Sequence, residues 1–155
     1  MRRSQYQIED TETLIELLNE CKIMRVAMID GETPYIVPVN YAYELSEGIL
    51  TMYFHCAIEG RKIDILKKNK NVCFELDGRF ELVMGKDACS TSCKYASIIG
   101  SGKAESIDDV KGKTSALSLI MEQQTGKPVN DFPEAALAKT AVFLIRSKDF
   151  TGKTR

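Results

Sequence analysis

The sequence has no tryptophan, a single histidine and only four prolines in 155 residues. One imidazole cannot supply the paired histidines of common metal centres. The five cysteines, at 21, 56, 73, 89 and 93, include one close pair, Cys89 and Cys93, so a tetrahedral zinc site lacks ligands and no metal is expected. An odd cysteine number without an apolar leader reads as free thiols in a reducing compartment, that is, a cytoplasmic protein. Arg2 and Arg3 are followed by Gln5, Gln7, Glu9 and Asp10, where an export signal would need an apolar run. Charge of one sign is also missing: 21 Lys+Arg against 22 Asp+Glu leave a net charge of −1. No global field would hold a nucleic acid or an acidic membrane, so any anion must be met by a local cluster. The apolar stretch Ile23 to Ile29 is broken by Arg25 and falls far short of the roughly 20 residues that span a bilayer.

What is present suits one globular domain over residues 1–155: 44% hydrophobic and 28% charged residues with 10 glycines. Asp10 is placed to cap a helix with Leu14, Leu17, Leu18 and Cys21 on one face. Strand patterns follow over residues 23–29, 35–43 and 49–55, with turn signals at Asp30-Gly31 and Ser46-Glu47-Gly48. Pro38 lies within the second of these, and a proline cannot sit in an uninterrupted central ladder; an edge, a bulge or a ligand must lie beside it. A short helix follows Gly60-Arg61-Lys62. Strands resume at 72–77 and 80–84, with Gly78 between them, and at 95–105 with Gly100 and Gly102 as bends. Asp108 or Asp109 caps a helix that stops at Gly126, ahead of Pro128, and Ala141 to Ile145 is a last apolar strand before a polar tail. Meandering strands with helices at the start, in one crossover and late predict a mainly β (α+β) fold: a small barrel of six or seven antiparallel strands with about three peripheral helices.

Candidate chemistry is sparse. Gly-Lys-Thr occurs at 112–114 and 152–154, but Ile107 and Ser147 stand where a phosphate-binding P-loop needs its first glycine. The segment from Phe54 to Asp64 is more telling, because a strand end runs through Gly60 into Arg61 and Lys62 at a helix start. Main-chain N–H groups there attract an anion, Arg61 can bind it bidentately and Lys62 adds a point charge. Taken alone, the same pair also reads as solvated helix residues. His55 could relay a proton or contact a ligand, or be a hydrogen-bonded structural imidazole; Cys56 reads as packing. Tyr41, Tyr43 and Tyr53 alternate along two strands, as an aromatic surface for a flat ligand would, or simply as good strand packing.

Taken together, Met1-Arg2-Arg3 with its short helix, Pro34 to Tyr41, Phe54 to Asp64 and Tyr95 to Ala104 resemble, in order, the flavin-binding split β-barrel proteins related to pyridoxamine 5′-phosphate oxidase, in particular the nitroimidazole-resistance branch. The resemblance spans nearly the whole chain. It implies a homodimer with two flavin sites at the subunit interface, usually filled by FMN, with FAD the other candidate. Pro38, Val39 and Asn40 would run beside the isoalloxazine, His55, Cys56 and Ala57 would continue the wall, and Gly60, Arg61 and Lys62 would take the phosphate. Ser97 and Ile99 would contribute from the partner subunit, and His55 would lie close to the flavin as the catalytic residue. The expected activity is reduction of a small planar substrate such as a nitroaromatic; the alternative is a flavin-binding module or carrier without turnover. The basic C-terminal segment of true pyridoxamine 5′-phosphate oxidases has no match here, which argues against vitamin B6 oxidation.

Overall fold

The computed structural model describes residues 4–155, so the opening Met1-Arg2-Arg3 lies outside the described residues. Chain order is β1 (Gln7–Ile8), α1 (Thr11–Glu20), β2 (Ile23–Asp30), β3 (Thr33–Ser46), β4 (Ile49–Ala57), α2 (Arg61–Lys68), β5 (Asn71–Val83), β6 (Ser92–Ile107), α3 (Val110–Thr125), α4 (Glu134–Ala138) and β7 (Thr140–Thr154). The strands are antiparallel in the order β1-β7-β4-β3-β2-β5-β6, and β6 pairs with β7 to close the barrel. The fold is the expected split β-barrel.

Local chemistry accounts for the elements. Asp10 caps α1, its Oδ2 accepting from the Thr13 N–H at 2.7 Å, and Leu14, Leu17 and Leu18 face the barrel. The last three share one core with Met24, Val26, Leu50, Met52, Phe54, Phe74, Leu76, Ile98 and Ile145. A smaller cluster outside the barrel, Ala42, Ala116, Leu117, Ile120, Leu137 and Val142, seats α3 and α4 on β3, β4 and β7.

Three readings need correction. The segments 72–77 and 80–84 belong to one strand, β5, carrying an irregularity between Gly78 and Glu81. There Arg79 adopts φ 57°, held by its guanidinium, which donates to Glu20 and Glu16 of α1. The polar tail is no tail: β7 runs to Thr154, pairing its later residues with β6 and β1. Tyr41 is no ligand surface either. It is fully buried, and its hydroxyl donates to the carbonyls of Leu18 at 2.7 Å and Cys21 at 3.2 Å. Gly102 does sit at a register shift between β6 and β7, where a Cβ would stand 2.6 Å from the Arg146 carbonyl oxygen.

Candidate functional site

The barrel is incomplete along one seam. β3 pairs with β4 only from Tyr41↔Phe54 to Ser46↔Ile49, while Thr33 to Asn40 pair with β2 alone. The two-residue turn between Asp30 and Thr33 sets the ladder's alternation, so the main-chain groups of Pro34, Ile36 and Pro38 point away from β2, into the gap. Both prolines fall on positions where no ladder N–H is needed. Pro38 thus occupies an edge, one of the settings its presence required.

The facing wall is the end of β4 and the start of α2. Had the β3–β4 ladder continued, Asn40 would stand opposite His55, Val39 opposite Cys56 and Pro38 opposite Ala57. The seam therefore brings the predicted residues 38–40 against 55–57. Gly60 is the N-cap of α2 at φ 124°, a backbone region that side chains strain to enter. No side chain caps this helix, and with the Ile63 and Asp64 N–H groups donating to the Gly60 carbonyl, those of Arg61 and Lys62 remain available to an anion.

Arg61 lies across the Tyr35 ring at 4.5 Å, and its Nε donates to Asp30 Oδ2 at 2.8 Å. Lys62 makes no ion pair among the described residues. Burial, and then the nearby Lys62 charge, push the His55 pKa down, so the imidazole is neutral at pH 7. His55 Nδ1 is buried without a hydrogen-bond partner. Burial pushes the Cys56 thiol up, with Lys62 partly opposing, which makes it a poor nucleophile and fits the packing reading. Behind His55, α3 and α4 close an apolar cavity of about 200 Å³ lined by Leu117, Met121, Phe132 and Leu137. Helix α3 thereby shapes the space beside the one imidazole.

Ser97 and Ile99 are not brought to this groove within the chain. They lie on β6, separated from β3 by β2 and β5, on the outward sheet face that also carries Pro38 and Asn40. That face was not foreseen. Ile23, Ile29, Ile36 and Ile99 project from it, with Ile36 59% exposed. The irregularity at Arg79 inserts one residue into β5 and so turns Phe80, Leu82 and Met84 onto the same face, where Phe80 and Met84 are each 74% exposed. In its middle Arg25 pairs with Glu75 and Asp77. A spacing of two predicts the wrong face for residues 80–84, because the extra residue is invisible to it.

A family model described as pyridoxamine 5′-phosphate oxidase matches residues 10–154. The chain belongs to the pyridoxamine 5′-phosphate oxidase family. Within reach of this family is the structure of a candidate 5-nitroimidazole antibiotic resistance protein from Bacteroides thetaiotaomicron, 32% identical, aligned over 96% of this chain and 86% of that one with a TM-score of 0.82. The flavocytochrome Anf3 from Azotobacter vinelandii is 22% identical over 100% and 72% of the two chains, TM-score 0.80. A FAD and heme binding protein from Mycobacterium smegmatis is 17% identical over 96% and 73%, TM-score 0.79. These last two share the fold. No curated protein sequence matches the chain.

Proposed function

We propose that this protein is a homodimeric flavin-dependent oxidoreductase that binds FMN, or FAD, in the seam between β3 and β4 and reduces a small planar substrate such as a nitroaromatic. The observation that carries the reading is the seam itself: an unpaired strand edge facing an uncapped helix start, with an orphaned buried imidazole nitrogen on the end of β4 beside them. An unpaired edge offers main-chain partners to the polar rim of a flat heterocycle, and the helix start offers N–H groups to its phosphate, so the residues fit a flavin. The flavin- and heme-binding names of the structures with this fold, and the resistance protein at 32% identity, support it.

In this reading Pro38, Val39 and Asn40 line one side of the ring, and His55, Cys56 and Ala57 the other. Gly60, Arg61 and Lys62 hold the phosphate. Drawing Arg61 away from Asp30 costs little, because an exposed pair is worth about 0–1 kcal/mol. The flavin, when bound, supplies the hydride or electron chemistry. His55 is neutral, with Nδ1 free either to orient a substrate polar group or to hand over a proton. Ser97 and Ile99 reach the seam from a second copy seated on the outward face, whose exposed isoleucines, Phe80, Leu82 and Met84 exceed what a monomer ordinarily leaves to water. Free thiols suit a reducing cytoplasm.

The test is the visible spectrum of the freshly purified protein, chromatography of any released cofactor, and reduction of a nitroaromatic panel with a reduced nicotinamide nucleotide (NADH or NADPH) as electron donor. Bound flavin with turnover supports the proposal. Bound flavin with no acceptor reduced supports a carrier instead. A colourless protein that refuses FMN and FAD removes both.

A further inference from the structure

A second cavity, of about 430 Å³, lies under α2 on the β7 side of the β4 end, away from the seam. That volume lies in the range of small-molecule sites, roughly 300–1,000 Å³. Its floor is apolar: Ile63, Leu66, Ala104 and Phe143 all belong to the barrel core. Its rim is cationic, with Lys67, Lys70 and Lys113. Lys113 is half-buried, and its Nζ donates to the carbonyls of Thr140 at 3.0 Å and Leu137 at 3.5 Å, which fixes the ammonium beside the cavity. Asp108 also lines the cavity, its Oδ2 accepting from the Ser106 hydroxyl at 3.1 Å, and supplies one negative charge against the three ammonium groups. None of the three ammonium groups has an ion-pair partner among the described residues.

Three ammonium groups against the one carboxylate of Asp108 leave the rim of an apolar hollow with an excess of positive charge. A neutral ligand would fill the floor and leave that excess in place. An inorganic anion would relieve the charge and leave the floor wet. Only a ligand that joins an apolar body to one anionic head answers both features. We propose that this cavity binds an organic monocarboxylate, its chain or ring on Ile63, Leu66 and Phe143 and its carboxylate among Lys67, Lys70 and Lys113. The site is separate from the flavin seam, because Ala141 and Val142 line it from the far side of Cys56 and His55.

The probe is octanoate, titrated calorimetrically into flavin-saturated protein, with 1-octanol as the uncharged control. One octanoate per chain is expected, with 1-octanol at least about tenfold weaker. The double variant Lys67→Glu, Lys70→Glu should weaken octanoate at least about tenfold; both side chains are exposed, so its flavin spectrum and melting temperature should match the parent. Equal binding of octanoate and 1-octanol would overturn the proposal, as would an unchanged affinity in the double variant. Loss of octanoate binding in FAD-saturated but not FMN-saturated protein would also overturn it, since the cavity would then hold the adenosine half of the flavin.

Discussion

The two halves of β3 obey the same alternation and do opposite work. From Tyr41 to Ser46 the strand is zipped to β4; from Thr33 to Asn40 it pairs with β2 and sends Val37 and Val39 into the core, but the edge that would meet β4 has no partner. The sequence differs where the behaviour does. Pro34 and Pro38 remove donors from the open half, whereas the closed half is anchored by Tyr41 beneath α1. Opposite the open half, β4 gives way to Gly60 and a helix that presents bare N–H groups. In the proposed reading the closed edge holds the barrel together and the open edge binds.

Four substitutions test that division. Phe54 stacks on Phe143 at 5.2 Å within the core at the last closed pair. Phe54→Ala should cost about 3–5 kcal/mol in chemical denaturation, and a loss below about 1 kcal/mol would mean the closed half is not the stabilising one. In the open half, Arg61→Ala with Lys62→Ala should weaken FMN by about 10²-fold in a fluorescence titration, two charge-assisted contacts being lost. The apoprotein should meanwhile melt within a few degrees of the parent, since Arg61 is 57% exposed in its pair with Asp30. Tyr41→Phe removes the donor of two buried hydrogen bonds and should destabilise by about 1–3 kcal/mol with the flavin stoichiometry unchanged; weaker FMN binding at equal stability would blur the boundary between the halves.

The smallest effect concerns His55, which stands at that boundary. Its folded pKa is depressed by burial and then by Lys62, so the unfolded chain takes up the proton first. The stabilisation from keeping it neutral is complete above the unfolded value of about 6.5 and is lost as pH falls through it, at a slope of at most about 1.4 kcal/mol per pH unit. His55→Gln should flatten this part of the stability profile between pH 7 and 5, as read by denaturation at several pH values. An unchanged profile would show that His55 is not desolvated.

Much of this was legible from residue order. Asp10 and Asp109 both cap the helices expected of them, because capping is local chemistry. Pro38 announced an interrupted ladder, and Gly60-Arg61-Lys62 an anion-ready helix start, because both are statements about which N–H groups exist. Long-range pairing was less legible. The strand from Lys148 to Thr154 looks polar because its residues are chosen to pair with β6 and β1 rather than to fill the core. The face of Phe80, Leu82 and Met84 depends on one inserted residue stabilised by Glu16 and Glu20, some sixty positions upstream. Ser97 and Ile99 cannot be placed at the seam by any feature internal to one chain.

The unclosed seam is the proposed flavin site. Amide hydrogen exchange with and without FMN tests it most directly, because Ile36 and Ala57 carry N–H groups that the alternation turns toward the gap. FMN should slow exchange at Ile36, Ala57, Arg61 and Lys62 while Ala42 and Glu44, whose N–H groups lie in the closed ladder, stay as they were. FMN that binds yet leaves those four amides unchanged would contradict it.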